Sequence, residues 1–343
     1  MVPAHDARIN ASDAFIIARY AHAVDVLQEH LARARASGGV FARSVAHPPW
    51  GLRLPGTIQL AVHAVVQGRA WVWLEDPQAA LELAPGDVAL VLGGPDHHVA
   101  HSAGAACVTP EQFRAHHTDD EHSDDEDATV FLCGAYRFSG DVGRGLLEAL
   151  PPMLHLPPAD QDPLHDVIGL LSRELATAEP GQQTVLDRLL DVVLVHAIRT
   201  SFRQSARAPR WYQASADPRL AAALRAIHTD AAHRWAVPEL AALSGLSRAA
   251  FARAFQHALG QAPMQYLTEW RMTLARDHLR SGELTLAQIA DRTGYTSPYA
   301  FAAAFRRHHG QPPGRWRRDE EFSAPGAQRH EPGHPSGSAT GPH

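Results

Sequence analysis

Residues 240–247 read Leu-Ala-Ala-Leu-Ser-Gly-Leu-Ser and lead to Phe251 and Phe255, then Gly260, Pro263 and Tyr266. Residues 289–296 read Ile-Ala-Asp-Arg-Thr-Gly-Tyr-Thr and lead to Phe301 and Phe305, then Gly310, Pro313 and Trp316. One pattern is written twice. The offset is 49 residues at first and 50 after one extra residue in the second copy. The simplest physical reading is two helix-turn-helix units in tandem, joined by a single helix over 263–279.

In the first copy, 237–243 forms a short helix buried through Leu240 and Leu243. Gly245 permits the tight turn, Leu246 plugs the core, and Ser247 caps the next helix. That helix buries Phe251, Phe255 and Leu259, which leaves Arg248, Ala249, Ala252, Arg253 and Gln256 on the opposite face. In such a unit the second helix enters the major groove, with its N-terminal half at the base edges. Arg253 suits a bidentate pair with guanine and Gln256 a pair with adenine; the plainer reading of Arg253 is a solvated or phosphate-bound side chain.

The second copy runs through 286–292, Gly294 and Tyr295 to a helix over 298–308, with Ser297 as its cap and Pro298 at its first position. Phe301 and Phe305 point inward, and Pro298, Tyr299, Ala302, Ala303 and Arg306 point outward. This face is poor in hydrogen-bonding side chains, so it is expected to anchor phosphate and touch thymine methyl groups. Arg306, Arg307, Arg315, Arg317 and Arg318 are the phosphate candidates. On one face of a duplex the two reading helices would enter successive major grooves, roughly 34 Å apart.

The charge distribution agrees with this placement. The formal net charge of −6 hides 14 Arg against 7 acidic residues over 215–318, and 16 Arg against 26 acidic residues over 1–214. A basic module attached to an acidic one means that only one end meets a polyanion. A length of 343 residues implies two or more domains. No apolar run is long enough to span a membrane, and residues 1–23 carry no export signal. Cys107 and Cys133 are too few for a disulfide scaffold or a four-cysteine zinc site, so a cytoplasmic location is expected.

Upstream, 25–36 reads as a short amphipathic helix ended by Gly38-Gly39. Eight short strands follow, over 40–45, 51–54, 58–66, 70–74, 80–83, 87–92, 106–109 and 129–138, which favours a closed barrel or a jelly roll. The acidic run 119–127 reads as a solvated loop. Beyond the proline-rich run 151–158, Leu164, Val167, Ile168, Leu171 and Leu175 form one helical stripe. Val185, Leu186, Leu189, Leu190, Val193, Leu194 and Ala197 form a second. Such a hairpin either caps the barrel or joins two protomers. The expected organisation is a disordered start (1–23), a β-domain (24–150), a helical hairpin (151–206), a polar linker (207–216), the tandem module (217–318) and a disordered tail (319–343). The fold class is therefore α+β, multidomain: a barrel or jelly roll with a helical hairpin, then an all-α tandem helix-turn-helix domain.

Gly294-Tyr295-Thr296-Ser297, Phe301, Phe305-Arg306-Arg307, Gly310, Pro313 and Trp316-Arg317 resemble the signature of the AraC/XylS family of bacterial transcription regulators. Pro49-Trp50-Gly51-Leu52-Arg53, Pro85-Gly86-Asp87, Leu132-Cys133-Gly134 and Leu154-His155-Leu156-Pro157 resemble the cupin-like sensor domain of one subgroup of it. The resemblance implies binding to double-stranded promoter DNA, a small-molecule effector, a homodimer and contact with RNA polymerase, without catalysis. Trp50, His63, Trp71, Trp73 and His97 are the candidate effector pocket. Gly86, Leu92, Gly94 and His97 fit the spacing of the second motif of metal-binding cupins with Leu in place of Pro, and His63 alone remains of the first. No cofactor is expected; His63, His97, His98 and His101 are the candidate ligands should a divalent metal bind, although alternation sends His97 and His98 to opposite faces. The alternative to a regulator is a metal-dependent cupin enzyme fused to a DNA-binding module. A DNA-repair methyltransferase with the same module would need an activated cysteine beside it, and both cysteines lie far upstream.

Overall fold

The computed structural model describes residues 25–34, 37–116, 125, 127–138, 140–158, 163–177, 179–205 and 208–323. The readings of 1–23, of most of the acidic run and of 324–343 fall outside the described residues. Nine strands are present among the described residues: β1 (Ser37–Ala46), β2 (Gly51–Leu54), β3 (Leu60–Gln67), β4 (Ala70–Trp73), β5 (Leu81–Leu83), β6 (Val88–Leu92), β7 (His97–Ala100), β8 (Thr129–Arg137) and β9 (Met153–Leu156). They form a five-stranded sheet, β1-β8-β3-β6-β9, and a four-stranded sheet, β2-β7-β4-β5.

The five-stranded sheet is buried on both faces, which is why β3 is apolar almost throughout rather than alternating. Ala61 and Val65 of β3 turn toward the other sheet, where they meet Trp50, Ala89, Val91, Val99 and Phe131. Leu60, Val62 and Ala64 turn outward into a core with Val88, Leu90, Leu132, Tyr136 and Leu154. Helices α4 (Pro163–Leu175) and α5 (Gln182–Gln204) close that core through Ile168, Leu171, Leu186, Leu190, Val193 and Leu194. The hairpin therefore caps the sheet. Each such fully buried side chain contributes about 1.5–3 kcal/mol relative to exposure. Helix α1 (Val26–Ala34) precedes the strands, α2 (Pro110–His116) follows β7, and α3 (Gly140–Glu148) follows β8.

Several sequence expectations need correction here. The segment 106–109 makes only an isolated bridge, Val108 with Leu52, because Pro110 opens a helix directly after it. β7 and β9 carry no strand signal in the sequence, yet β9 pairs with β6 from Val88↔Leu156 to Val91↔Met153, so the sheet continues past residue 150. Its flanking prolines are tolerated because β9 lies at the sheet edge. Helix α3 also went unread, since Gly140, Gly143 and Gly145 are poor helix formers.

The C-terminal half is helical: α6 (Arg210–Ser215), α7 (Pro218–Thr229), α8 (Val237–Leu243), α9 (Arg248–Leu259), α10 (Pro263–Ser281), α11 (Leu286–Arg292), α12 (Pro298–His309) and α13 (Pro313–Ser323). Helix α6 occupies the expected linker. Helix α13 runs past Arg318, held by Arg315–Asp319 one turn apart and by Arg280–Glu320. The two units have separate cores. Leu267, Trp270 and Leu274 of α10 enter the first with Phe251 and Phe255, and Met272, Ala275 and Leu279 enter the second with Phe301 and Phe305. One rigid helix thus supports both units on two of its faces.

Candidate nucleic-acid interface

The two turns are built by the same backbone bonds. The N–H of Leu246 donates to the carbonyl of Ala241 at 3.0 Å, and that of Tyr295 to Ala290 at 2.8 Å. Gly245 (φ 62°) and Gly294 (φ 74°) take the left-handed conformation that closes each turn. At Gly294 a Cβ would also lie 2.5 Å from the carbonyl oxygen of Ala232, so both conformation and space demand glycine there. The hydroxyl of Ser247 accepts from the N–H of Ala250 at 3.3 Å, and that of Ser297 from Ala300 at 3.1 Å. Phe251 and Phe255 lie 5.5 Å apart with Tyr266 edge-on to Phe255; Phe301 and Phe305 lie 5.7 Å apart with Trp316 edge-on to Phe305.

This frame leaves one face of each reading helix open. On α9, Arg248, Ala249, Arg253 and Gln256 are exposed and Ala252 is half-buried. On α12, Tyr299, Ala303, Arg306 and Arg307 are exposed while Ser297, Pro298 and Ala302 are half-buried. Tyr299 is 88% exposed, the extreme among the exposed large apolar side chains of the described residues. Leu243 is not a core residue: helix α8 meets the core through Leu240 and Ala241, and Leu243 at its end is 47% exposed. Arg317 is taken up structurally, since its guanidinium donates to the carbonyl of Leu284 at 2.9 Å. Sequence reasoning also missed Arg271, which clamps the carbonyls of Ala231 (2.7 Å) and His233 (2.8 Å) and lies over the Tyr295 ring.

In the N-terminal domain the candidate pocket residues divide. Trp50 stacks on Phe131 at 4.7 Å between the sheets, where His63 and His97 also lie. Trp71 and Trp73 do not join them. Ala70 and Val72 of β4 face inward, so the two tryptophans take the other face, where Trp73 stacks on His98 at 5.1 Å. The imidazoles of His63 and His97 meet Nε2 to Nε2 at 2.9 Å, one donating and the other accepting, and Cys133 Sγ lies 3.1 Å from His63 Nδ1. Burial holds His63 well below the usual histidine range, brings His97 down to about 4 and pushes the Cys133 thiol up to about 12. Two neutral rings result.

A metal centre needs three or four convergent donors. His98 is turned away toward the Leu74 carbonyl at 3.1 Å, and His101 Nδ1 sits 2.7 Å from the Trp50 carbonyl. Among the described residues no group of three or more metal-ligating side chains is assembled, and the facing His63 and His97 make two donors.

Matches to known proteins give these observations a family. Residues 25–203 match the family described as Cupin, and 240–319 the family described as helix-turn-helix domain. A putative AraC-like transcription regulator of Streptomyces lividans is 30% identical over 300 residues, covering 86% of this chain and 98% of its own length. The HTH-type transcriptional regulator AlkR of Acinetobacter baylyi is 28% identical over 279 residues, covering 78% and 90%. The solved DNA-binding domain of AdpA in complex with a target DNA aligns at 30% identity with 32% of this chain and 99% of its own, with a TM-score of 0.30. The fold and its doubled unit define a cupin domain joined to a tandem helix-turn-helix module. The chain belongs to the AraC-type family of DNA-binding transcription regulators.

Proposed function

We propose that this regulator binds double-stranded promoter DNA as a cytoplasmic homodimer, under the control of a small-molecule effector held in its N-terminal domain. The observation that carries the reading is the pair of reading helices fixed by α10. Arg248, Arg253 and Gln256 supply base-edge contacts from the first helix; Tyr299, Arg306 and Arg307 supply methyl and phosphate contacts from the second. Dimerisation draws support from the hairpin. Its inner face is spent on the sheet, while Leu170 (44%), Val185 (44%) and Val192 (37%) stay exposed on the outside. The effector would bind between the sheets, beside the buried Trp50, His63 and His97. RNA polymerase is a further partner of the DNA-bound form, and the role is regulatory rather than catalytic.

Footprinting on DNA upstream of the protein's own gene and its neighbours tests this. Two protected grooves per subunit, about one helical turn apart, are expected; protection indistinguishable from that on random DNA would remove the proposal. A metal-dependent enzyme fused to the module has the facing His63–His97 pair in its favour. Purified protein holding under about a tenth of an equivalent of transition metal would exclude it, since such a site binds stoichiometrically.

A further inference from the structure

We infer that Asp277 of α10 latches the helix joining the two DNA-reading units to helix α3 of the N-terminal domain, so that the N-terminal domain helps to set the spacing of those units. This inference rests on membership of the DNA-binding family and needs neither the effector nor the dimer.

The latch is a cap supplied from another domain. The first amides of any helix need partners, and normally the residue just before the helix provides one. At α3 the backbone N–H of Asp141 donates to Oδ1 of Asp277 at 2.6 Å, across 136 positions of sequence. Gly140 permits the approach: its φ is +74°, and a Cβ there would lie 2.5 Å from Oδ1 of Asp277. A larger residue there would be strained by that φ and would push the Asp277 carboxylate aside.

The Asp141 side chain returns the contact. It is 8% exposed and pairs with the Arg276 guanidinium and with Arg280 at 3.1 Å. Arg280 also reaches Asp277 at 3.3 Å and Glu320 of α13 at 3.2 Å, and it lies 5.3 Å over the ring of Trp316 in the second core. A path of paired charges therefore runs from α3 through α10 into the second unit.

The N-terminal domain grips the first unit as well. Val26 of α1 and Val142 of α3 belong to the first unit's core. His30 of α1 stacks on Trp211 at 3.9 Å and touches the rings of His228 and Trp270 at 4.8 and 5.0 Å. Both units are thus held by one domain, by different chemistry. The first contact is apolar and aromatic. The second is ionic, and paired buried charges give geometric specificity more than net stability, which is what a spacing element requires. Coupling of this kind is reciprocal: DNA that fixes the reading helices must also alter the α3 contact.

Hydrogen exchange over 140–148 in the full-length protein, with and without a duplex selected from random pools, tests the latch. In the wild type the duplex is expected to change exchange there by at least about threefold, the scale of one cap interaction. Asp277→Ala should abolish that change, and Asp277→Asn, which keeps the accepting oxygen, should retain it. An equal response in the wild type and Asp277→Ala, or no response in the wild type when duplex is bound, overturns the inference. Should Asp277→Ala fail to fold, Arg280→Gln takes its place: it keeps the cap but cuts the path to the second unit, and an undiminished response overturns the inference. Should no duplex be selected, the DNA-binding reading fails instead. The latch is then judged without DNA, where Asp277→Ala must exchange faster over 140–148 while 182–204 stays unchanged.

Discussion

Replacing Phe305 by Ala isolates the second unit. Phe305 is fully buried, with Phe301 at 5.7 Å, Trp316 at 6.1 Å and the His309 ring at 4.4 Å. Removing such a ring costs about 3–5 kcal/mol in lost transfer energy and cavity formation. The second core cannot absorb that. It holds nine buried residues against sixteen in the first, among the described residues. Whole domains are stable by only about 5–15 kcal/mol, so a loss of this size in the smaller core opens it locally. The first core keeps Leu267, Trp270 and Leu274 of α10 and should stay folded. Urea unfolding should separate into two transitions, amide exchange should rise over 286–316, and the DNA footprint should shorten by about one helical turn, roughly 10 base pairs. A variant that loses under about 1 kcal/mol, or protects both grooves at near wild-type affinity, would refute the division into two cores.

Three further outcomes are expected. Arg253→Ala should cost about 1–3 kcal/mol on the selected site and relax specificity there, whereas Arg307→Ala should weaken all duplexes alike and lower the salt slope by about one; equal losses on selected and random DNA for both variants would overturn the assignment. Native protein treated with iodoacetamide at pH 8 should leave Cys133 unmodified until it is unfolded, because burial pushes that thiol up to about 12; modification without unfolding contradicts this. His30 and His97 are held at about 4 by desolvation, so the unfolded chain takes up protons below its own value of 6.5 that the folded chain refuses. Stability should thus be flat above pH 6.5 and fall toward pH 4, by at most about 1.4 kcal/mol per unit for each ring; calorimetry of His97→Gln should show a shallower fall, and an unchanged slope would count against the buried neutral ring.

The tandem module was readable because its frame is local. Phe251 and Phe255 sit one turn apart, Gly245 fixes its own turn, and Ser247 caps the helix it precedes; each relation spans only a few residues. The N-terminal domain offered weaker cues. Ala70-Trp71-Val72-Trp73 has apolar groups on both faces, so only pairing with β7 decides which face looks inward. His97–Ala100 carries two histidines in four residues and has no strand composition. The contact between domains was hidden for another reason: His30, Trp211 and Trp270, like Asp141 and Asp277, meet only after folding. Trp211-Tyr212 within an otherwise polar stretch was the available hint that 207–216 is more than a tether. Val142 and Leu146 in α3, with Leu150 just beyond it, lie at four-residue spacing and were the hint that the glycines obscured.

Because the two frames coincide, any difference in what the units do to DNA must come from the side chains they expose. Aligned on their phenylalanines, the copies are offset by 50 residues. Ala303 then stands where the first unit has Arg253, Tyr299 where it has Ala249, and Arg306 where it has Gln256. At 1.5 Å per residue, Arg253 lies about 8 Å from the start of its helix and Arg306 about 12 Å from the start of its own. The half of a reading helix nearest its start is the half that reaches base edges. In the first unit that half carries two guanidinium groups; in the second it carries Tyr299 and alanines, and its first guanidinium, Arg306, comes only at the place of Gln256, next to Arg307. On the proposed reading, the first unit thus selects the sequence while the second sets register and strength.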